Sequence, residues 1–209
     1  MKNEKQIAKY LLQSKAIKLQ PSNPYTWASG WRSPIYCDNR KTLSFPEIRN
    51  YIRDSFVSVI KEHYPEVELI AGVATGGIAQ GVLVAQELNL PFVYVRSSPK
   101  GHGLQNLVEG VLEKNQKTVV IEDLVSTGGS SIKAVHALRD AGADILGMSA
   151  IFTYGFAVAE HNFEKAGCKL ITLGDYTALS QVAAEEGVIT DEEIPVLTQW
   201  RENPEYWGK

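Results

Sequence analysis

Three times along this chain a short apolar run is followed by a turn of small residues and then by a stretch with apolar positions at helical spacing. The units are Leu69 to Val73 before Ile78 to Glu87, Val119 to Ile121 before Ser131 to Ala141, and Ile145 to Ile151 before Ala157 to Ala166. Runs that are apolar at nearly every position suit strands covered on both faces, and strands alternating with helices build a parallel sheet between helical layers. Phe92 to Arg96 and Lys169 to Leu173 supply further strands. The expected fold class is therefore α/β, with a central, mainly parallel sheet flanked by helices.

The flanks read differently. Ile7, Leu11 and Leu12 recur at helical spacing, which predicts a helix from about Asn3 to Lys15. Between Leu19 and Arg40, Pro21, Pro24, Gly30 and Pro34 punctuate aromatic and charged residues, predicting an extended loop with a short strand near Ile35 to Cys37. This stretch is the expected lid or hood. Ser44-Phe45-Pro46-Glu47 has capping-box spacing and an early proline, and Ile48, Ile52, Phe56, Val59 and Ile60 follow on one face, so a second helix is expected. The tail from Ala183 to Trp207 reads as helical with a loose end. At 209 residues the chain falls in the size range of one α/β domain. The expectation is a single domain, residues 1–209, with residues 1–40 forming the hood.

A net charge of −3 gives no global positive field for a nucleic-acid backbone or an anionic membrane, so any anion site must be local. No apolar run approaches membrane-spanning length and the N-terminus has no signal-peptide core, so a soluble, cytoplasmic protein is expected. Cys37 and Cys168 lack metal-ligand spacing and read as reduced, structural thiols.

In an open α/β sheet, ligands bind beyond the carboxyl ends of the strands. The run Val119-Val120-Ile121 delivers Glu122 and Asp123 to that crevice, and Leu124-Val125-Ser126-Thr127-Gly128-Gly129-Ser130-Ser131 then opens a helix. The glycines let the backbone curl, its N–H groups and the helix N-terminus favour a phosphate, and Thr127, Ser130 and Ser131 add hydroxyls. The carboxylates cannot hold that phosphate, but they can accept hydrogen bonds from sugar hydroxyls or bind a hydrated Mg²⁺. A ribose 5-phosphate satisfies both halves; a capped helix after a glycine-rich turn satisfies the same spacing without any ligand. Ala74-Thr75-Gly76-Gly77, after the first strand, reads either as a second close approach of backbone to phosphate or as a tight packing turn. The Walker-type phosphate loop is absent, and Gly101-His102-Gly103 continues to Asn106 where a dinucleotide fingerprint has glycine.

The stretch Val119 to Ser131 resembles the phosphoribosyl-diphosphate signature of the type I phosphoribosyltransferases. Ser29-Gly30-Trp31-Arg32-Ser33-Pro34-Ile35-Tyr36-Cys37-Asp38-Asn39-Arg40 and Arg96-Ser97-Ser98-Pro99-Lys100-Gly101-His102-Gly103 narrow the resemblance to the orotate phosphoribosyltransferases. It spans most of the chain and weakens after about residue 180. It implies transfer of ribose 5-phosphate from 5-phosphoribosyl 1-diphosphate to orotate, giving orotidine 5′-monophosphate and diphosphate in pyrimidine biosynthesis. The implied transition state has oxocarbenium character and needs no protein nucleophile. Mg²⁺ is the implied cofactor, held mainly through substrate with no protein ligand assigned.

By the same resemblance the catalytic residues are Arg96, Lys100, His102 and Asp123. Phosphoribosyl diphosphate would meet Thr75, Gly76, Arg96, Lys100 and His102. It would also meet the run Glu122, Asp123, Leu124, Val125, Ser126, Thr127, Gly128, Gly129 and Ser130, while orotate would meet Ser126. A homodimer is implied, with loop residues 96–106 shared across the interface and no nucleic acid or membrane partner. The hood aromatics Trp27, Trp31 and Tyr36 fit either packing or base contact. The chain departs from some family members, which carry lysine at Ala28, Gly76 and Ser97 and a base-contacting arginine within Phe152-Thr153-Tyr154-Gly155. Arg32 or hood backbone amides are the candidates for holding the orotate carboxylate. A purine phosphoribosyltransferase, or a regulator that senses phosphoribosyl diphosphate on the same fold, are the alternatives.

Overall fold

The structure, a computed structural model, describes residues 2–27, 29–98 and 107–208, with the side chains of residues 2 and 3 left aside. The chain begins with helix α1 (Lys2–Gln13) and the hood strands β1 (Ile17–Leu19), β2 (Tyr25–Thr26), β3 (Arg32–Ser33) and β4 (Ile35–Cys37). A 3₁₀ turn, Asn39–Ser44, leads into α2 (Pro46–His63), β5 (Leu69–Val73), α3 (Gly76–Leu88), β6 (Phe92–Val95) and β7 (Val108–Glu109). Then come β8 (Lys117–Val125), α4 (Gly129–Asp140), β9 (Asp144–Thr153), α5 (Ala157–Lys165), β10 (Leu170–Asp175), α6 (Tyr176–Glu185) and α7 (Ile194–Glu202).

Six strands form the central sheet in the order β10-β9-β8-β5-β6-β7, with every neighbouring pair parallel except β6 and β7. The fold class is the expected one. Because side chains alternate across a strand, Ile70, Val119, Ile121 and Ile151 enter one core beneath α1, α2 and α3, while Ala71, Val73, Val120, Met148 and Ala150 enter a second beneath α4 and α5. From β5 the chain crosses to β6 on one side, whereas β8 lies on the other. The carboxyl ends of β5 and β8 therefore flank the switch point, where open α/β sheets form their ligand crevice.

The structure corrects several expectations. β8 does not end at Ile121 but continues to Val125, because the ten-residue β9 keeps pairing it through Leu124 opposite Phe152 and Val125 opposite Thr153. The capping-box spacing at Ser44 is not realised: Ser44 belongs to the 3₁₀ turn, and Phe45 caps α2 without a side-chain bond. The hood is not a loop with one strand but two antiparallel ladders, β1 with β4 and β2 with β3, and Pro21, Pro24 and Pro34 lie outside these strands. The tail is helical in α6 and α7, as expected, and Trp200 of α7 is fully buried. Its ring centre lies 5.4–5.6 Å from those of Trp27, Tyr154, Phe156 and Tyr176. Both cysteines are free thiols. Among the described residues no helix is long and apolar enough to cross a membrane.

Candidate active site

Glu122 and Asp123 lie in the second half of β8 and have different surroundings. Glu122 is 5% exposed, and its two oxygens accept from the Ser131 hydroxyl at 3.1 Å and from the Asp123 backbone N–H at 3.0 Å. Burial pushes its carboxyl well above the usual carboxylate range, and the neighbouring Asp123 charge adds to the effect. Asp123 is half-buried; burial raises it too, while hydrogen bonds and the Arg40 charge oppose the rise. Asp123 is thus the open member of the pair and Glu122 the internal one. The Ser131 hydroxyl, expected as a phosphate donor, is turned inward to Glu122.

A cavity of about 300 Å³ opens beside the pair, lined by Thr75, Asp123, Leu124, Ser126, Thr127, Gly128 and Ser130 among others. α4 starts here with Gly128 in the left-handed region at φ 79°, and no side chain caps its first turn, so the N–H groups there remain open to an anion. Thr127 is held from behind by Asn162 of α5, whose amide donates to its carbonyl at 2.9 Å. Val125, expected along the ligand, is instead fully buried in the second core. The turn after β5 contains a cis Ala74–Thr75 peptide. A Cβ on Gly76 would overlap the Asp123 carboxyl, and one on Gly77 would overlap the Ile121 carbonyl. This fits a glycine, and not a lysine, at position 76 in this backbone arrangement.

Two further cavities lie under the hood. One, of about 270 Å³, is walled by Thr26, Trp27, Tyr36, Cys37, Leu124, Ser126 and Tyr154. The other, of about 470 Å³, is walled by Trp27, Ser29, Trp31, Ser126 and Thr127. Ser126 lines both, and the 300 Å³ cavity as well. Trp27 and Trp31 stack at 6.4 Å, so these rings pack and line a cavity at once. No lining residue of either hood cavity is cationic among the described residues. The exposed Arg32 donates from one guanidinium nitrogen to the Gly208 carbonyl at 3.4 Å and lines neither hood cavity.

Arg96 leaves the end of β6 and pairs with Glu109 at 3.4 Å. It lines a larger cavity of about 560 Å³, which shares Val73, Ala74 and Ser130 with the acid-pair cavity and also includes Gly129, Lys133 and His136. Sequence reasoning passed over Lys133 and His136, whose three-residue spacing on α4 carries no motif. Lys100 and His102 lie outside the described residues, as does Ala28. Asn39 was also missed. Its amide donates to the Asp123 carbonyl at 2.6 Å.

Residues 45–184 match the family described as phosphoribosyl transferase domain. The orotate phosphoribosyltransferase of Porphyromonas gingivalis is 61% identical over 204 residues, covering 98% of this chain and 97% of that one. The crystal structure of orotate phosphoribosyltransferase from Aeropyrum pernix superposes with a TM-score of 0.76 at 27% identity, over 88% of this chain and 99% of that chain. Leishmania donovani UMP synthase, at 24% identity, shares the fold with a TM-score of 0.80 over 95% of this chain, which spans only 42% of that longer protein. A switch-point crevice holding an acid pair beside an uncapped helix, with these matches over nearly its whole length, means that the chain belongs to the phosphoribosyl transferase family, among its orotate phosphoribosyltransferases.

Proposed function

We propose that the chain transfers ribose 5-phosphate from 5-phosphoribosyl 1-diphosphate to orotate, yielding orotidine 5′-monophosphate and diphosphate for pyrimidine biosynthesis. The observation that carries this reading is the convergence on Ser126 of a hood cavity walled by aromatic rings and a cavity holding an acid pair and an open helix N-terminus. A flat heterocycle suits the first, and a phosphorylated sugar suits the second.

In this reading the 5-phosphate rests on backbone N–H groups of Gly128, Gly129 and Ser130, with the hydroxyls of Thr127 and Ser130. Asp123 accepts from the ribose hydroxyls, and Glu122 stiffens the strand behind it through Ser131. The backbone of Thr75 and Gly76 approaches the diphosphate. As the bond from the anomeric carbon to diphosphate oxygen breaks, its electron pair leaves with diphosphate. The orotate nitrogen closes on the same carbon, and the proton it carried passes to water or to the departing diphosphate. Arg96, Lys100 and His102 balance the charge that develops on the leaving group. No cation among the described residues lines the hood cavities, and in this reading backbone amides of the hood hold the orotate carboxylate.

The donor set suits Mg²⁺ held mainly by substrate: Asp123 offers one accessible carboxylate, and no cluster of three His, Cys, Asp or Glu residues occurs among the described residues. When bound, the ion supplies positive charge against the leaving diphosphate. The chain works as one domain, residues 1–209. The hood of residues 1–40 belongs to it because Ile7, Leu11, Ile17 and Ile35 share a core with Ile70 and Val119 of the sheet. The working form is a cytoplasmic homodimer whose loop, residues 96–106, is shared across the interface; no nucleic acid or membrane takes part.

The test is the loss of orotate absorbance on adding phosphoribosyl diphosphate and Mg²⁺, with uracil, adenine and hypoxanthine in parallel and a chelator control. Chelator-sensitive turnover of orotate alone is expected. Turnover of a purine in its place would overturn the reading of the hood, and no turnover of any base would overturn the enzymatic reading altogether.

A further inference from the structure

Between the hood cavity and the acid pair stands one side chain that belongs to neither. Asn39 is 2% exposed at the start of the 3₁₀ turn after β4. Its Nδ2 donates to the Asp123 carbonyl at 2.6 Å, and its Oδ1 accepts from the Cys37 thiol at 3.2 Å. A carbonyl can only accept, so the orientation of the amide is set by its partner. Asn39 is itself fastened, because its own carbonyl accepts from the hydroxyl of the fully buried Thr42 at 2.6 Å.

The two ends of this bridge lie on different cavities. Cys37 and its neighbour Tyr36 line the aromatic hood cavity, whereas Asp123 lines the acid-pair cavity. At this point β8 is paired by β9 on one side only. Its last partner in β5 is Gly72, opposite Ile121, so Asp123 sits in an overhang that β5 does not reach. We propose that Asn39 is a positioning residue that fixes the spacing between the base pocket and the carboxylate of Asp123. The anomeric carbon and the attacking nitrogen approach each other across that spacing, so an error there falls on the chemical step, while the phosphate cradle at α4 is left in place.

The inference rests on the orotate reading above. The experiment compares wild type, Asn39→Ala and Asn39→Asp in the orotate assay, with ribose 5-phosphate affinity measured by calorimetry and each protein first shown to be folded. A misplacement of about 1 Å can cost about 100-fold in rate, so kcat of Asn39→Ala should fall by about 10- to 100-fold with ribose 5-phosphate affinity within about threefold of wild type. Asn39→Asp has nearly the same shape, which guards against loss of folding in the alanine variant. Ionised, it presents only acceptors to the Asp123 carbonyl; protonated, its O–H can donate. Its kcat relative to wild type should therefore recover as pH falls, a profile that mere structural support would not produce. Variants within threefold of an active wild type, or kcat and ribose 5-phosphate affinity falling together, would overturn the inference alone. An inactive wild type would overturn the orotate reading and the inference with it.

Discussion

The indole Nε1 of Trp200 donates to the Arg32 carbonyl at 3.2 Å, joining residues 168 positions apart. The bond ties α7 to the hood strand β3, and the buried ring fills the space between Trp27 and Tyr154, both of which wall the cavity assigned to the base. Trp200→Ala should cost about 3–5 kcal/mol in chemical denaturation, through the void it leaves. It should also raise the KM for orotate more than that for phosphoribosyl diphosphate. A loss under about 1 kcal/mol would contradict a fully buried ring that closes the hood.

Gly76→Ala and Gly129→Ala form a contrasting pair. A methyl group at 76 collides with the Asp123 carboxyl, whereas at 129 it meets only the Thr127 hydroxyl at 3.9 Å, an ordinary contact. Displacement of Asp123 should lower kcat/KM for phosphoribosyl diphosphate by about 10- to 100-fold in Gly76→Ala. Gly129→Ala should keep the same melting temperature within a few degrees, because alanine is accommodated in a helical first turn. Equal kinetics for Gly76→Ala and wild type would mean that Asp123 has no required position.

Much of this was legible before any coordinates. Each β-α unit of the core announced itself because a strand buried on both faces must be apolar throughout, and the phosphate-binding turn because glycine and hydroxyl residues have few other reasons to cluster after such a strand. What the sequence concealed depends on partners distant in the chain. The length of β8 is set by β9, not by its own residues, so the apolar run alone ended the strand at Ile121, before Glu122 and Asp123. The ladder of β1 with β4 joins segments separated by Pro21, Pro24 and Pro34, and the anchoring of Trp200 depends on Arg32. Asn39 lies inside the stretch that carried the family resemblance, yet its role requires knowing that Asp123 overhangs β5.

Glu122 should impose a pH dependence on stability. Its folded-state pKa lies above the ordinary 4.5, so the folded protein holds that proton more tightly than the unfolded chain does. The resulting stabilisation is present in full below pH 4.5 and is lost as pH rises through the folded-state value. Glu122→Gln carries no such proton, and its amide can still satisfy Ser131 and the Asp123 N–H. In melts without substrate or metal, the advantage of Glu122→Gln over wild type should widen from pH 5 to pH 8. A constant difference, or a widening toward acid, would refute the assignment.

Cys37 should be a sluggish thiol. Burial raises its pKa, and the charges of Asp123 and Asp38 raise it further. Mass spectrometry of the native protein exposed to iodoacetamide at neutral pH should find Cys37 modified at least about 10-fold more slowly than in the denatured chain. Labelling at equal rates would show that its surroundings are open.

Subunit mixing tests the shared loop. Neither Lys100→Ala nor Asp123→Ala should turn over appreciably alone, but refolding the two together should restore up to about a quarter of wild-type activity. That share follows if half the dimers are mixed and each carries one intact site. Absence of rescue would mean that each site is completed within one chain.

The aromatic packing of the hood also has an optical consequence. All four tryptophans, Trp27, Trp31, Trp200 and Trp207, fall in the hood and the tail, and none lies in the six-stranded sheet or in α4. The intrinsic emission of the protein is therefore a local lamp: an emission transition reports the release of the hood, and far-ultraviolet dichroism has to be read separately to learn when the sheet lets go.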